Sequence, residues 1–410
     1  MYRKYDMAAV QPETGRGLGV RQMRYHDLLK SDSRVTILAL SWRDIKSPTA
    51  GGAEVHTHEM LKRIDRAFYR VIHIAARYGG EKESELIDGV QYLRKGNPAS
   101  VIWYAFSYYQ RNRKKIDLVI DQCNTHRFFT PLWVPRKKRI FYIHQLTREI
   151  WEINLKFPWS KIGKWMENGL LKLNRRDFVI TVSESTKAEL TALGYHADKI
   201  TIIPNGISFV PWQKEQWKAK EQVPAFVYAG RYAAYKGIDI AVESIGILKR
   251  RGISAKLWVL GKADREYIKT HLLPVCRTYG IKMGKRDSAS EVIIWGYVSE
   301  QEKLELLSRA KALVFPSVRE GWGIPITEAG AVGTPSVVFD SPGVRDAVDW
   351  GNAGYLCGCN SESLAEEMER VLQDEVLYER KRERAYAFSC RFLWDRNEEK
   401  IRKFLKQIGN

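Results

Sequence analysis

The chain has 410 residues, 44% hydrophobic and 28% charged, with a formal net charge of +19 at pH 7. That balance belongs to a folded globular protein and excludes intrinsic disorder, and the length exceeds what one growing core takes up, so two domains of somewhat under ~200 residues each are expected. No apolar run reaches the roughly 18 residues of a membrane span, and the opening MYRKYDMAAVQPETGRG has no apolar stretch of a secretion signal, so a cytoplasmic location is expected.

Residues 1-30 show no period and read as an N-terminal tail. From there short β-branched runs alternate with longer helical patterns: RVTILAL (34–40), RVIHIAA (70–76), IDLVIDQ (116–122), RIFYIHQ (139–145), FVITVS (178–183) and ITIIPN (200–205). Such runs predict strands buried on both faces, as in parallel sheets. A second series follows with AFVYAG (225–230), AKLWVLG (255–261), EVIIWGY (291–297), KALVFPS (311–317) and PSVVFD (335–340). Between them Pro204-Asn205-Gly206 and the charged stretch PWQKEQWKAKEQVP mark a linker. The expected organisation is a domain over 31-207, a linker over 208-222, a domain over 223-375, and a helical segment over 376-410 that reaches back to the first domain. The fold class is α/β: two Rossmann-like, doubly wound parallel sheets facing a cleft, with ligands beyond the carboxyl ends of the strands.

Candidate chemistry appears at those strand ends. SWRDIKSPTAGGAEVHTHEML places Gly51-Gly52 in the loop after the first strand, a turn where backbone approaches phosphate. His56 and His58, two apart on a helix, share no face for a metal. His144 ends the strand RIFYIHQ, where it serves either the cleft or a purely structural hydrogen bond. Arg231 follows the strand AFVYAG and Lys236 stands at the opening of the next helix; either alone passes as surface charge, but together they suit a diphosphate. In VREGWGIPITEAG (318–330), Gly321-Trp322-Gly323 forms a turn before a helix that begins at Pro325. Glu320 precedes the turn and Glu328 is expected in the helix's first turn. Both carboxylates suit sugar and ribose hydroxyls, although Glu328 also suits the helix dipole and Glu320 also suits solvent. The five scattered cysteines (Cys123, Cys276, Cys357, Cys359, Cys390) read as reduced thiols, and no second pair stands at zinc spacing from Cys357 and Cys359, so no metal is expected.

Taken together these segments resemble glycosyltransferase family 4, retaining enzymes of GT-B architecture, over roughly residues 34–375. PSVREGWGIPITEAGAVGTPSVVFDSPGVRDAV is similar to that family's Glu-x7-Glu signature, AGRYAAYKGID to its phosphate-binding segment and TIIPNGIS to its interdomain turn. The resemblance implies Glu320 at the donor sugar, Glu328 at the ribose, and Arg231 and Lys236 on the diphosphate. It implies Gly230 in the phosphate-binding segment, backbone of Gly321, Trp322, Gly323, Ile324 and Pro325 near the sugar and β-phosphate, and Gly296, Tyr297 and Val298 flanking the base. Gly51, Gly52 and His144 match the family's N-terminal glycine loop and active-site histidine. Three positions depart from the pattern: Trp322 replaces a frequent Phe, Gly330 a frequent Met, and Ser208 a frequent Asp.

The expected reaction transfers a sugar from a nucleotide-diphosphate donor, with no cofactor and no metal, to a glycan or lipid-linked acceptor. Residues 101–176 hold 16 Lys and Arg against 5 Asp and Glu, more than half of the whole excess. With Trp103, Trp133, Trp151, Trp159 and Trp165 interleaved, this stretch reads as a peripheral surface for an anionic membrane, on the inner face of the cell membrane, or alternatively as basic surface and core aromatics. A nucleotide-sugar epimerase of the same fold is a competing reading. A non-enzymatic polyanion binder is another, but no nucleic-acid-binding motif is present, so nucleic acid is not an expected partner.

Overall fold

Val, Ile and Leu fill the central strands, and their burial on both faces gives each sheet two cores. The computed structural model describes residues 34–124, 127–287 and 289–409; the tail expected at 1-30 lies outside them. The first sheet contains β1 (Val35–Leu40), β2 (Tyr69–Ala75), β3 (Ser84–Ile87), β4 (Val90–Arg94), β5 (Leu118–Cys123), β6 (Arg139–Ile143), β7 (Phe178–Thr181) and β8 (Ile200–Ile202), in the order β3-β4-β2-β1-β5-β6-β7-β8. The second contains β9 (Ala225–Ala229), β10 (Lys256–Leu260), β11 (Met283–Lys285), β12 (Val292–Gly296), β13 (Ala312–Phe315), β14 (Ser336–Phe339) and β15 (Tyr355–Cys357), in the order β11-β12-β10-β9-β13-β14-β15. All pairings are parallel except the β3–β4 hairpin. The strand order reverses between β1 and β5 and between β9 and β13, and a crevice opens at such a reversal.

Four strands escape the sequence pattern. β3 and β4 form an antiparallel edge hairpin in which β3 is half exposed, and β11 and β15 are three residues long. None carries the continuous apolar run of a buried parallel strand.

On one face of the first sheet, Ile37, Ile120, Tyr142 and Ile180 pack with Ile401, Phe404 and Leu405 of the helix Trp394–Gly409. The helix Val101–Asn112 covers the other face through Ala105 and Tyr109. The second sheet is covered by the helix Ile238–Arg250 on one side and by Glu300–Arg309 and Ile324–Ala331 on the other.

The C-terminal helical pattern is two helices, not one. Glu375–Ser389 lies on the second sheet's side, against the helix Ile324–Ala331, and Trp394–Gly409 joins the first sheet's core. The break lets the chain cross between sheets: the Ile207 amide donates to the Phe392 carbonyl at 2.8 Å, and Asn397 Nδ2 to the Pro204 carbonyl at 2.8 Å. The crossover turn is thus gripped by the C-terminus.

Candidate active site

The turn after β9 is built so that its lysine meets the end of β13. Residues Ala234–Lys236 form a 3-10 turn, and Gly237 follows at φ 68°, where a side chain would also collide with the Pro316 carbonyl. Only a glycine lets this turn sit on the strand end. Lys236 is buried and forms an ion pair with Glu320, whose Oε1 also accepts from Ser317 Oγ at 2.8 Å. The Lys236 ammonium stands over the Phe315 and Tyr235 rings at 5.5 and 5.2 Å. Arg231 is exposed and donates to the Tyr235 hydroxyl at 2.8 Å, so both cations gather at Tyr235.

The carboxylates are placed differently from each other. Glu320 ends the extended segment after β13, with its amide donating to the Pro342 carbonyl at 3.1 Å. The helix Ile324–Ala331 starts one residue before Pro325, so Glu328 lies in its second turn and the first turn holds no acid. This corrects the helix-dipole expectation. Glu328 is buried and accepts from Lys303 Nζ at 2.8 Å; burial raises its pKa above the ordinary glutamate value while Lys303 works against that rise.

The loop between these acids meets the first sheet. A Cβ added to Gly321 would lie 3.1 Å from the His144 carbonyl oxygen and 3.2 Å from its Cβ, and one on Gly52 would lie 2.9 Å from Ile324 Cδ1. Gly52, His144, Gly321 and Ile324 are therefore brought together, with Gly323 and Pro325 in the same turn. Trp322 turns away: its ring packs edge-on against Phe392 at 4.7 Å in the core, so at this position the loop offers backbone, not indole. The Gly51 amide donates to Glu54 Oε2 at 2.7 Å, and Glu54 also takes Asn124 Nδ2 at 2.8 Å and Arg43 at 3.0 Å. Gly51 thus caps its own helix, and its amide is not free for the phosphate expected there.

On the far side of β9, the Gly261 amide donates to the Gly296 carbonyl at 2.9 Å and Gly230 lies against Gly261. Tyr297 is exposed, and Val298 leans on the second sheet's core. His144 follows β6 directly. It is buried, and its Nε2 meets the Tyr142 hydroxyl at 2.9 Å. That hydroxyl also bonds His56 Nδ1, and His56 Nε2 meets the Ile203 carbonyl at 2.8 Å. His58 bonds the Tyr92 hydroxyl at 2.8 Å and Asp88 at 3.0 Å instead.

Sequence reading missed Arg319. It is 1% exposed and bidentate to Glu189 at 2.8 Å through each terminal nitrogen, and its Nε meets Glu149 at 2.5 Å. Asp346 likewise takes the Ser185 amide at 2.9 Å. These contacts pin the Glu320 segment to helices Glu184–Ala192 and Glu149–Asn154 of the first sheet. Their partners stand 130 to 170 positions apart, so no local pattern announces them. The Lys303–Glu328 pair and the bond between Tyr142 and His56 were missed as well, their partners standing 25 and 86 positions apart. Cavities of about 340 and 240 Å³ lie elsewhere, lined by residues such as Asp349 and Arg384 or Tyr355 and Lys381, and no residue of the site borders either.

Of the five tryptophans in the basic stretch, Trp133 and Trp151 are packed; the Trp151 indole donates to Glu167 at 3.2 Å and lies against Gly163. Trp103, Trp159 and Trp165 are exposed by 65 to 76% and Phe157 by 78%. No described helix is long and apolar enough to cross a membrane.

Two parallel-sheet domains with this site between their strand ends define the GT-B architecture. Solved structures sharing it include the sucrose-phosphate synthase of Thermosynechococcus elongatus, 17% identical with TM-score 0.72 over 92% of this chain and 99% of that one. Anabaena HepE, solved in complex with UDP-glucose, is 16% identical with TM-score 0.65 over 91% and 100%. The family model for Glycosyltransferase Family 4 matches residues 50–209 and that for Glycosyl transferases group 1 matches residues 211–388. Lying end to end over the two sheets, these matches place the chain in the group 1 and family 4 glycosyltransferases. The glycogen synthase of Mycobacterium tuberculosis is 30% identical over 207 residues, 50% of this chain and 48% of that protein. The chain spans about half the length of the first curated relatives it matches.

Proposed function

We propose that the chain is a retaining glycosyltransferase that moves a sugar from a nucleotide-diphosphate donor to an acceptor hydroxyl, with no metal in the chemical step. The observation carrying this reading is the ion pair of buried Lys236 with partly buried Glu320 at the reversal between β9 and β13, with Arg231 at the same tyrosine. Cleavage of the anomeric carbon–oxygen bond leaves an oxocarbenium-like sugar and adds negative charge to the diphosphate. Buried Lys236, exposed Arg231 and the backbone of the Gly321–Pro325 turn stabilise that charge. The acceptor hydroxyl attacks from the same face, its proton passing to the departing phosphate, so configuration is retained. Glu320 accepts from sugar hydroxyls, Glu328 from the ribose, and Gly296 to Val298 flank the base. UDP-glucose in Anabaena HepE supports the donor class. Incubation with UDP-, GDP- and ADP-sugars in EDTA, followed by proton NMR of the product, tests it: transfer with the donor's anomeric configuration is expected, and an inverted product would refute retention.

In the same reading the acceptor binds the first domain and is lipid-linked. Phe157, Trp159, Ile162, Trp165 and Met166 are exposed among Lys156, Lys161 and Lys164, which is the composition of a surface that enters an anionic headgroup layer. Flotation with phosphatidylglycerol vesicles should show binding that falls with salt and with Trp159→Ser plus Trp165→Ser. Equal flotation by the double variant would remove this surface from the account.

A further inference from the structure

We propose that Tyr142 and His56 are positioning residues that hold the proton of His144 on Nε2 and so leave its Nδ1 as an acceptor for a substrate hydroxyl. A carbonyl only accepts, so the 2.8 Å contact with Ile203 puts a proton on His56 Nε2. Burial pushes the His56 pKa down to about 4; the ring is neutral at pH 7 and its Nδ1 carries a lone pair. The Tyr142 hydroxyl, bonded to that Nδ1, donates its single proton there. With that proton committed, the phenol oxygen meets His144 Nε2 at 2.9 Å as an acceptor, and His144 carries its proton on Nε2.

Burial first, and His56 second, hold the His144 pKa well below its usual value, so this ring is neutral too. Its Nδ1 is buried and has no partner among the described residues. His144 is 9% exposed and its backbone and Cβ lie against the Gly321 turn, so this lone pair sits at the seam of the two sheets. The chemistry it selects is narrow. A phosphate oxygen or carboxylate offers it no proton, whereas an alcohol does, so the relay admits a sugar hydroxyl and refuses an anion. The anchor lies at the crossover: Ile203 precedes Pro204-Asn205-Gly206, and the His56 ring stands 5.1 Å from the Trp394 ring.

That the hydroxyl belongs to a sugar rests on the glycosyl-transfer reading; the proton positions do not. Long-range proton–nitrogen NMR of the full chain labelled with 15N-histidine, assigned with His56→Gln and His144→Gln, reads them without substrate. Both rings should be neutral with the proton on Nε2. A proton on Nδ1 of either ring in the unsubstituted chain overturns the relay, whatever the fate of the transfer assay. In Tyr142→Phe, His56 keeps its form because Ile203 still anchors it, while His144 loses its single Nε2-protonated form. An unchanged His144 signature in that variant overturns the role of Tyr142, and if the variant fails to fold the unsubstituted spectra still decide. With a donor that the chain turns over, Tyr142→Phe should lower kcat/KM about tenfold, the worth of one lost hydrogen bond; an unchanged value overturns the link from relay to substrate.

Discussion

Lys236 and Glu320 form an ion pair where solvent is sparse, and breaking it by removing one partner is costly. If the proposed mechanism holds, Lys236→Ala removes the cation assigned to the leaving group and reduces kcat by about 10²–10³, the usual worth of one preorganised donor; steady-state kinetics with saturating donor measure it. Lys303 plays the corresponding part for Glu328. Glu328 has a raised pKa in the folded chain, so folding there favours the protonated carboxyl over the charged one. Lys303→Met strengthens that preference. It should cost about 2 kcal/mol at neutral pH and less once the pH falls below the ordinary glutamate range, where folded and unfolded chains both hold the proton. Melting curves of both proteins at the two pH values check the sign. At this scale the sequence was legible where placement is local: Arg231, Lys236 and Glu320 follow the ends of β9 and β13 closely, whereas Glu328 lies a turn deeper in its helix than expected. The sequence was silent on Arg319, Lys303 and the Tyr142–His56 bond, whose partners stand 130, 25 and 86 positions apart.

At the scale of elements, the helix packed over it leaves Gly330 no room for a side chain. Any side chain there would meet the helix Glu375–Ser389: a Cβ would collide with Ser389 Oγ and stand 2.8 Å from the Ala385 carbonyl. Gly330→Ala should therefore destabilise by about 1–3 kcal/mol, measured by urea denaturation; unchanged stability would mean the two helices part freely. The long aliphatic strands were readable because burial on both faces demands an unbroken apolar run. The short strands β3, β11 and β15 were not, since pairing with a neighbour and not their own composition makes them strands. The same limit hid the break in the C-terminal helix, set by Phe392 entering the second core and Trp394 lying against Gly206.

At the scale of the whole molecule, the first domain buries two imidazoles that resist protonation. Burial lowers the pKa of His56 and of His73 from 6.5 to about 4. Between those values the unfolded chain binds protons that the folded chain refuses, so stability falls as pH falls through this window, by up to roughly 2.7 kcal/mol per pH unit for the two rings together. Denaturant midpoints from pH 7 to pH 4 should show the loss, and His73→Phe should reduce its slope. A midpoint independent of pH would contradict the burial of both rings.

The central claim is that the Lys236–Glu320 end of β9 and β13 grips a nucleoside diphosphate. Isothermal calorimetry with UDP, GDP and ADP in EDTA tests it most directly. One of the three should bind the unsubstituted chain, and Lys236→Ala should weaken that binding at least tenfold. Equal binding by the variant, or none by the unsubstituted chain, would contradict the account.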